Sequence, residues 1–194
     1  TGPTHHVWNF IHRARLNLLP LNGSMPGCDG ATNCRRCPAP METLPHVLNH
    51  CRTNMKAITK RHDAVLTRIA KALAKPGRNI RINRTVPTVT SRLRPDLVLA
   101  DPDNSVTILD VATPFENGAA AFEECRRRKE EKYFHLIQEL AEQGINARLG
   151  AIVVGALGAW DPVNDDILYT LGASAKYMKL CRQLCVADVI TTSA

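Results

Sequence analysis

The chain has 194 residues, 44% hydrophobic and 22% charged, the make-up of one globular domain with room for a small appendage. No apolar run approaches the roughly 20 residues that a helical membrane span needs, which excludes such a segment, and no signal-peptide pattern opens the chain. A net charge of +7 points to a polyanionic partner.

Residues 1–27 mix Trp8, Phe10, Ile11, Leu16, Leu18 and Leu19 with histidines and arginines, which predicts a helix ending near Pro20 and a linker role. Residues 28–55 hold four of the seven cysteines. Ile58, Val65, Leu66, Ile69, Ala72 and Leu73 then recur at helical spacing until Pro76-Gly77 stops the run. Arg78 to Val86 alternates apolar and polar residues, the period of a half-exposed strand. Two apolar, β-branched runs follow, separated by the turn-forming Asp101-Pro102-Asp103-Asn104-Ser105, and read as a hairpin. Residues 119–143 predict a long charged helix closed by Gly144, Ala147–Val154 a buried strand, and residues 163–189 a final helix after the Trp160-Asp161-Pro162 breaker. The division expected is a linker (1–27), a Cys/His module (28–55) and a main domain (56–194), the last a mixed sheet flanked by helices. A chain that starts at Thr1 and stops just after a helical run reads as a piece of something larger.

Cys34 and Cys37, eight residues, His46, four residues and Cys51 give C-x2-C-x8-H-x4-C. A close cysteine pair with a distant His/Cys pair is how tetrahedral Zn²⁺ is enclosed, and four protein ligands make the site structural. Arg35 and Arg36 beside the thiolates would stabilise them as anions. Cys28 and His50 are alternative ligands at this stage. Cys125, Cys181 and Cys185 fall within helical patterns and read as buried small hydrophobes.

The hairpin strands each bring an acid: Asp96 after Arg94-Pro95, and Asp110 after thirteen intervening residues, within Val106–Ala112. Two such acids on adjacent strands are costly unless a cation lies between them. A hard divalent ion such as Mg²⁺ suits oxygen ligands, so the pair suggests a metal-dependent phosphodiester-cutting enzyme. Nucleases of this layout often carry a lysine two residues after the second acid, where this chain has Ala112. On the helix of residues 119–143, Phe122, Cys125, Tyr133, Leu136 and Leu140 form one stripe at 100° per residue. Lys129 lies near its centre, Lys132 at its edge, and Arg127 and Glu131 point away. Lys129 is therefore the replacement. Arg126-Arg127-Arg128 reads as a solvated face. Asp63 and Glu116 are further candidate acids, each equally readable as a structural group.

Together these motifs resemble the restriction-like endonuclease domain of site-specific non-LTR retrotransposons, the kind that insert into ribosomal RNA genes. The likeness runs in order through the Cys/His module with Glu42–Leu48, Arg61-His62-Asp63, Arg94-Pro95-Asp96 with Asp110, Lys129–Tyr133 and Gly155–Pro162. It implies a PD-(D/E)xK restriction-endonuclease-like fold with a displaced lysine, preceded by a zinc knuckle and following a reverse transcriptase in one polyprotein. Such a protein nicks chromosomal target DNA, in the nucleus, and primes reverse transcription of the element's RNA from the freed 3′ end. The resemblance gives Asp96, Asp110 and Lys129 catalytic positions with Mg²⁺, and Lys132 and Tyr133 accessory ones. Asp63 departs from the Asn expected in the first-helix motif. Arg61, His62, Arg78, Arg81, Arg84 and Arg94 are the expected contacts to double-stranded DNA. A nucleic-acid-binding module without activity, and a zinc-stabilised protein-interaction domain, are the rival readings.

Overall fold

The computed structural model describes residues 3–24 and 32–194. Among these residues four strands, β1 (Asn79–Ile82), β2 (Leu97–Ala100), β3 (Ser105–Ala112) and β4 (Asn146–Val153), form one sheet in the order β1-β2-β3-β4. β1–β2 and β2–β3 pair antiparallel, and β3–β4 pair parallel through a helical crossover. The described residues also form five α-helices: α1 (His5–Arg15), α2 (Met55–Ala72), α3 (Ala119–Glu142), α4 (Val163–Thr170) and α5 (Ala175–Ser193). This is the mixed, helix-flanked sheet expected. Among the described residues, no helix is long and apolar enough to cross a membrane.

The alternation of each strand sorts the helices onto two faces. Leu97, Leu99, Leu109, Val111 and Ile152 pack with Val65, Leu66 and Ile69 of α2, Leu168 of α4, and Cys181, Cys185 and Val189 of α5. Val98 and Ile108 face the other way, against Tyr133, Leu136 and Leu140 of α3. Burying each such side chain contributes on the order of 2 kcal/mol. Asp110 follows the parity of Ile108 and so faces α3. A third cluster joins Val7, Ile11 and Ala14 of α1 to Leu44 and Leu48 of the Cys/His segment, Ala156 and Leu157, and Ile190 of α5. The N-terminal segments therefore share a core with the end of the chain.

Three elements differ from expectation. α1 stops at Arg15, short of Pro20. β1 ends at Ile82 because Asn83 takes a positive φ of 52°, and Val86 drops separately into the α3 cluster. The final helix is two helices. Gly172 adopts φ +88°, a conformation that L side chains disfavour, and the N–H of Ala173 returns to the Leu168 carbonyl at 3.0 Å. Ser174 then caps α5 by accepting from the Tyr177 amide.

Candidate metal and acid centres

The Cys/His module is organised around Glu42. Its buried carboxylate accepts from the Asn22 amide (2.9 Å), the Arg35 amide (3.2 Å) and the Arg35 guanidinium (2.9 Å from Nε). The Arg35 hydrogen bond is the main reason the Glu42 pKa falls to about 2, with burial opposing it and the two amides assisting. The Arg35 guanidinium is thus hydrogen-bonded to Glu42 and to the Pro20 carbonyl. The knuckle so braced brings Cys34, Cys37, His46 and Cys51 together, one ligand atom from each within 4.8 Å of all the others. Cys37 Sγ and His46 Nε2 are 3.2 Å apart. Three thiols and an imidazole converging in this way form a Cys3His set that could hold a tetrahedral Zn²⁺. The short helix His46–His50 supplies the histidine, and its end supplies Cys51. His50 is exposed and outside the set. Cys28 lies outside the described residues.

Asp96 stands just before β2. Leu97 pairs with Leu109, so Val111 lies beyond the last β2 partner. Its amide donates instead to Asp96 Oδ2 at 2.7 Å, while the Asp96 amide donates to Asp110 Oδ1 at 3.2 Å. The two acids are thus tied together where the hairpin strands part. Asp110 is 2% exposed and receives the Lys129 ammonium on Oδ2. Burial, then the neighbouring Asp96 charge, raises the Asp110 pKa, and Lys129 opposes both. Burial also acts to raise Asp96, but the His62 hydrogen bond and the Val111 amide outweigh it and hold that acid low.

Why the lysine comes from α3 is visible in the packing. Ala112, at the position where a sheet-borne lysine would stand, is buried against Phe122 and Cys125 of α3. One turn beyond Cys125 is Lys129, which falls over Asp110, two residues before Ala112. One turn further, Tyr133 packs over Val98 and Ile108, and its hydroxyl donates to the Arg94 carbonyl at 3.4 Å. Burial, then the charge of Asp110, pushes the Tyr133 pKa up, so the hydroxyl stays protonated at neutral pH. Lys132 is exposed, and its ammonium donates to the Tyr133 hydroxyl at 2.9 Å. Arg127 is solvent-facing, paired with Glu124 and Glu131.

Several residues sit differently from expectation. His62, expected to face DNA, bridges Asp63 Oδ1 and Asp96 Oδ2, each at 3.1 Å. The Asp96 hydrogen bond raises its pKa to about 9 against the cost of burial, so it is a cation at neutral pH. Asp63 itself is exposed and reaches Asp96 only through His62. Arg61, also expected at the DNA, is 1% exposed and turned inward. It donates to the carbonyl of Leu48 (2.7 Å), the hydroxyl of Thr113 (3.3 Å) and that of Ser193 (3.1 Å), and burial lowers its pKa to about 10. Arg78 is likewise turned inward, in a two-point pair with Asp101 (2.8 and 2.7 Å). Of the other expected contacts, Arg84 and Arg94 are exposed and Arg81 is half-buried. Arg126 is paired with the buried Asp161 and is not part of a solvated face. Glu116 is taken up by the Ala159 amide and by Arg15 at 3.5 Å, and it leaves no room for a Cβ at Gly155.

What the geometry defines is a mixed α/β domain with a Cys3His cluster at one end of β3 and a pair of acids, one buried and one half-buried, flanked by one lysine and one histidine, near that same end. No family profile matches the chain. Among curated proteins, it is 28% identical over 170 residues to the retrovirus-related Pol polyprotein from type-1 retrotransposable element R2 of Popillia japonica. The match covers 84% of this chain and 34% of that protein, so the chain is related to about a third of a retrotransposon polyprotein. This agrees with the resemblance carried by the motifs.

Proposed function

We propose that this chain is the DNA endonuclease segment of a retrotransposon polyprotein, a PD-(D/E)xK nuclease with a displaced lysine that nicks chromosomal target DNA to prime reverse transcription. The observation that carries the reading is the convergence of Asp96, Asp110 and Lys129 from the β2 edge, β3 and α3. The donor set fits Mg²⁺: two carboxylates converge on one site, and burial and the neighbouring Asp96 charge both raise the Asp110 pKa, a direction that a bound cation would oppose. Asp96 and Asp110 would hold the ion, which when bound acidifies a water and neutralises charge on the phosphate.

The chain's own groups do the rest. His62 keeps Asp96 ionised and oriented through Nε2. Lys129, which reaches Asp110 from α3, is placed to donate to a phosphate oxygen as negative charge develops there. Tyr133 remains a hydrogen-bond donor, not a base, and Lys132 holds its hydroxyl. The Cys3His module, pinned to the end of β3 by Arg61 and by Asn49 on the Thr113 carbonyl (2.6 Å), fixes the approach to the site. The partners of this reading are double-stranded target DNA, the element's RNA and the reverse transcriptase domain of the same polyprotein, acting in the nucleus. The test is nicking of supercoiled plasmid with and without Mg²⁺, beside Asp96→Ala. Nicking that needs the ion and is lost in the variant supports the reading. Equal activity in the variant, or none in the wild type, rejects it.

A further inference from the structure

The arginines expected to hold DNA are in part turned inward, but α2 carries a basic face of lysines. Lys56 and Lys60 lie one turn apart, and Lys71 lies on the same side of the helix. All three are exposed, and none joins an ion pair among the described residues. They line an open groove of about 790 Å³, which adjoins a second of about 640 Å³ through shared Lys60 and Arg68. Arg68 is neutralised by Asp188 at 2.9 Å. The remaining acid on the wall is Asp63. The groove therefore sets three lysines against one acid.

We propose that this face of α2 is a docking surface for the phosphate backbone of duplex DNA, leading the strand toward the acid pair. Lys56 to Lys71 spans roughly 22 Å at 1.5 Å per residue, the reach of about six phosphates of one strand. The groove also lies beside the acid site. Asp63 forms part of its wall, and the imidazole that Asp63 holds through Nδ1 holds Asp96 through Nε2. One side chain separates the two. Duplex DNA is the occupant because a polyanion complements the charge and because the acid pair beyond it is read as a DNA-cutting site; in that respect the proposal rests on the reading above.

The test is fluorescence anisotropy of a labelled duplex with the 194-residue chain, without Mg²⁺, across a salt series. Lys56→Ala/Lys60→Ala/Lys71→Ala should weaken binding about tenfold or more and lower the salt slope by about two to three. Lys176→Ala/Lys179→Ala on α5, also exposed, serves as the charge control and should leave both near wild type. An unchanged slope in the triple variant, an equal loss in the control, or a loss confined to single-stranded RNA overturns the proposal. The two readings fail separately. A chain that binds through these lysines but never nicks refutes the endonuclease and leaves the surface standing; a chain that nicks while the lysines are silent does the reverse.

Discussion

Lys129 on α3 meets Asp110 on β3, nineteen residues earlier in the chain, at a point where the sheet presents Ala112 and the helix presents Cys125 to each other. The small residue at 112 lets the helix come close, and the helix returns the cation that the strand lacks. Lys129 and Arg127, two residues apart, therefore differ in kind. Lys129→Ala should lower the nicking rate by roughly 10²-fold or more, the size expected for loss of a transition-state donor, with DNA affinity little changed. Arg127→Ala, which breaks only surface pairs with Glu124 and Glu131, should stay near wild type. Lys132→Ala is the internal control. A large loss there with none at Lys129 would move the role from Lys129 to Lys132.

His62 gives a pH dependence with a definite sign. Its folded pKa of about 9 lies above the ordinary 6.5, so the folded chain binds this proton more tightly than the unfolded chain does. The stabilisation is fully present below about pH 6.5 and is lost as pH rises through about 9. Its ceiling is about 3 kcal/mol, counted once for the His62–Asp96 pair. Urea unfolding without Mg²⁺ should show wild type losing more stability than His62→Gln across that window. Parallel curves would dismiss the ion pair.

Arg61 separates an inward from an outward arginine. Its three hydrogen bonds link the Cys/His module, the end of β3 and α5. Arg61→Ala should cost on the order of 3 kcal/mol in denaturant unfolding, because buried acceptors lose a charged donor. The salt slope of DNA binding should not move. A normal Tm with a reduced slope would mean that the side chain faces the nucleic acid after all.

How far these features were legible in the sequence follows from their range. The hairpin, the α3 stripe and Lys129 depend on period and parity, which are local, and so the buried face of α3 is Phe122, Cys125, Tyr133, Leu136 and Leu140 as the wheel predicts. Cys34, Cys37, His46 and Cys51 were legible because short spacing limits where their side chains can go. The arginines were not. Arg61, Arg78 and Arg126 find partners up to 132 residues away, and composition alone makes every arginine look like a surface charge. His62 sits next to Asp63 in sequence, but its attachment to Asp96 depends on how α2 crosses the sheet. The break at Gly172 carried a signal in the glycine itself, masked by apolar residues on both sides.

The Cys3His module yields the last prediction. Its ligands are not an isolated clasp, since Leu44 and Leu48 between and beside them pack with Val7, Ile11 and Ile190. Losing the ion should therefore loosen α1 and the end of α5 along with the knuckle, because coordination is part of the folding energy. Elemental analysis of protein purified without chelator should find one zinc per chain. Cys37→Ser should reduce that content to near zero and lower Tm by roughly 10 °C, taking a loss of several kcal/mol at about 2–4 °C per kcal/mol for a chain of this size. His50→Ala is the discriminating partner, since His50 is exposed and outside the four-ligand set. It should keep its zinc and its Tm. Zinc lost from His50→Ala but retained in Cys51→Ser would exchange the fourth ligand, and wild-type protein without zinc would remove the metal from the module altogether.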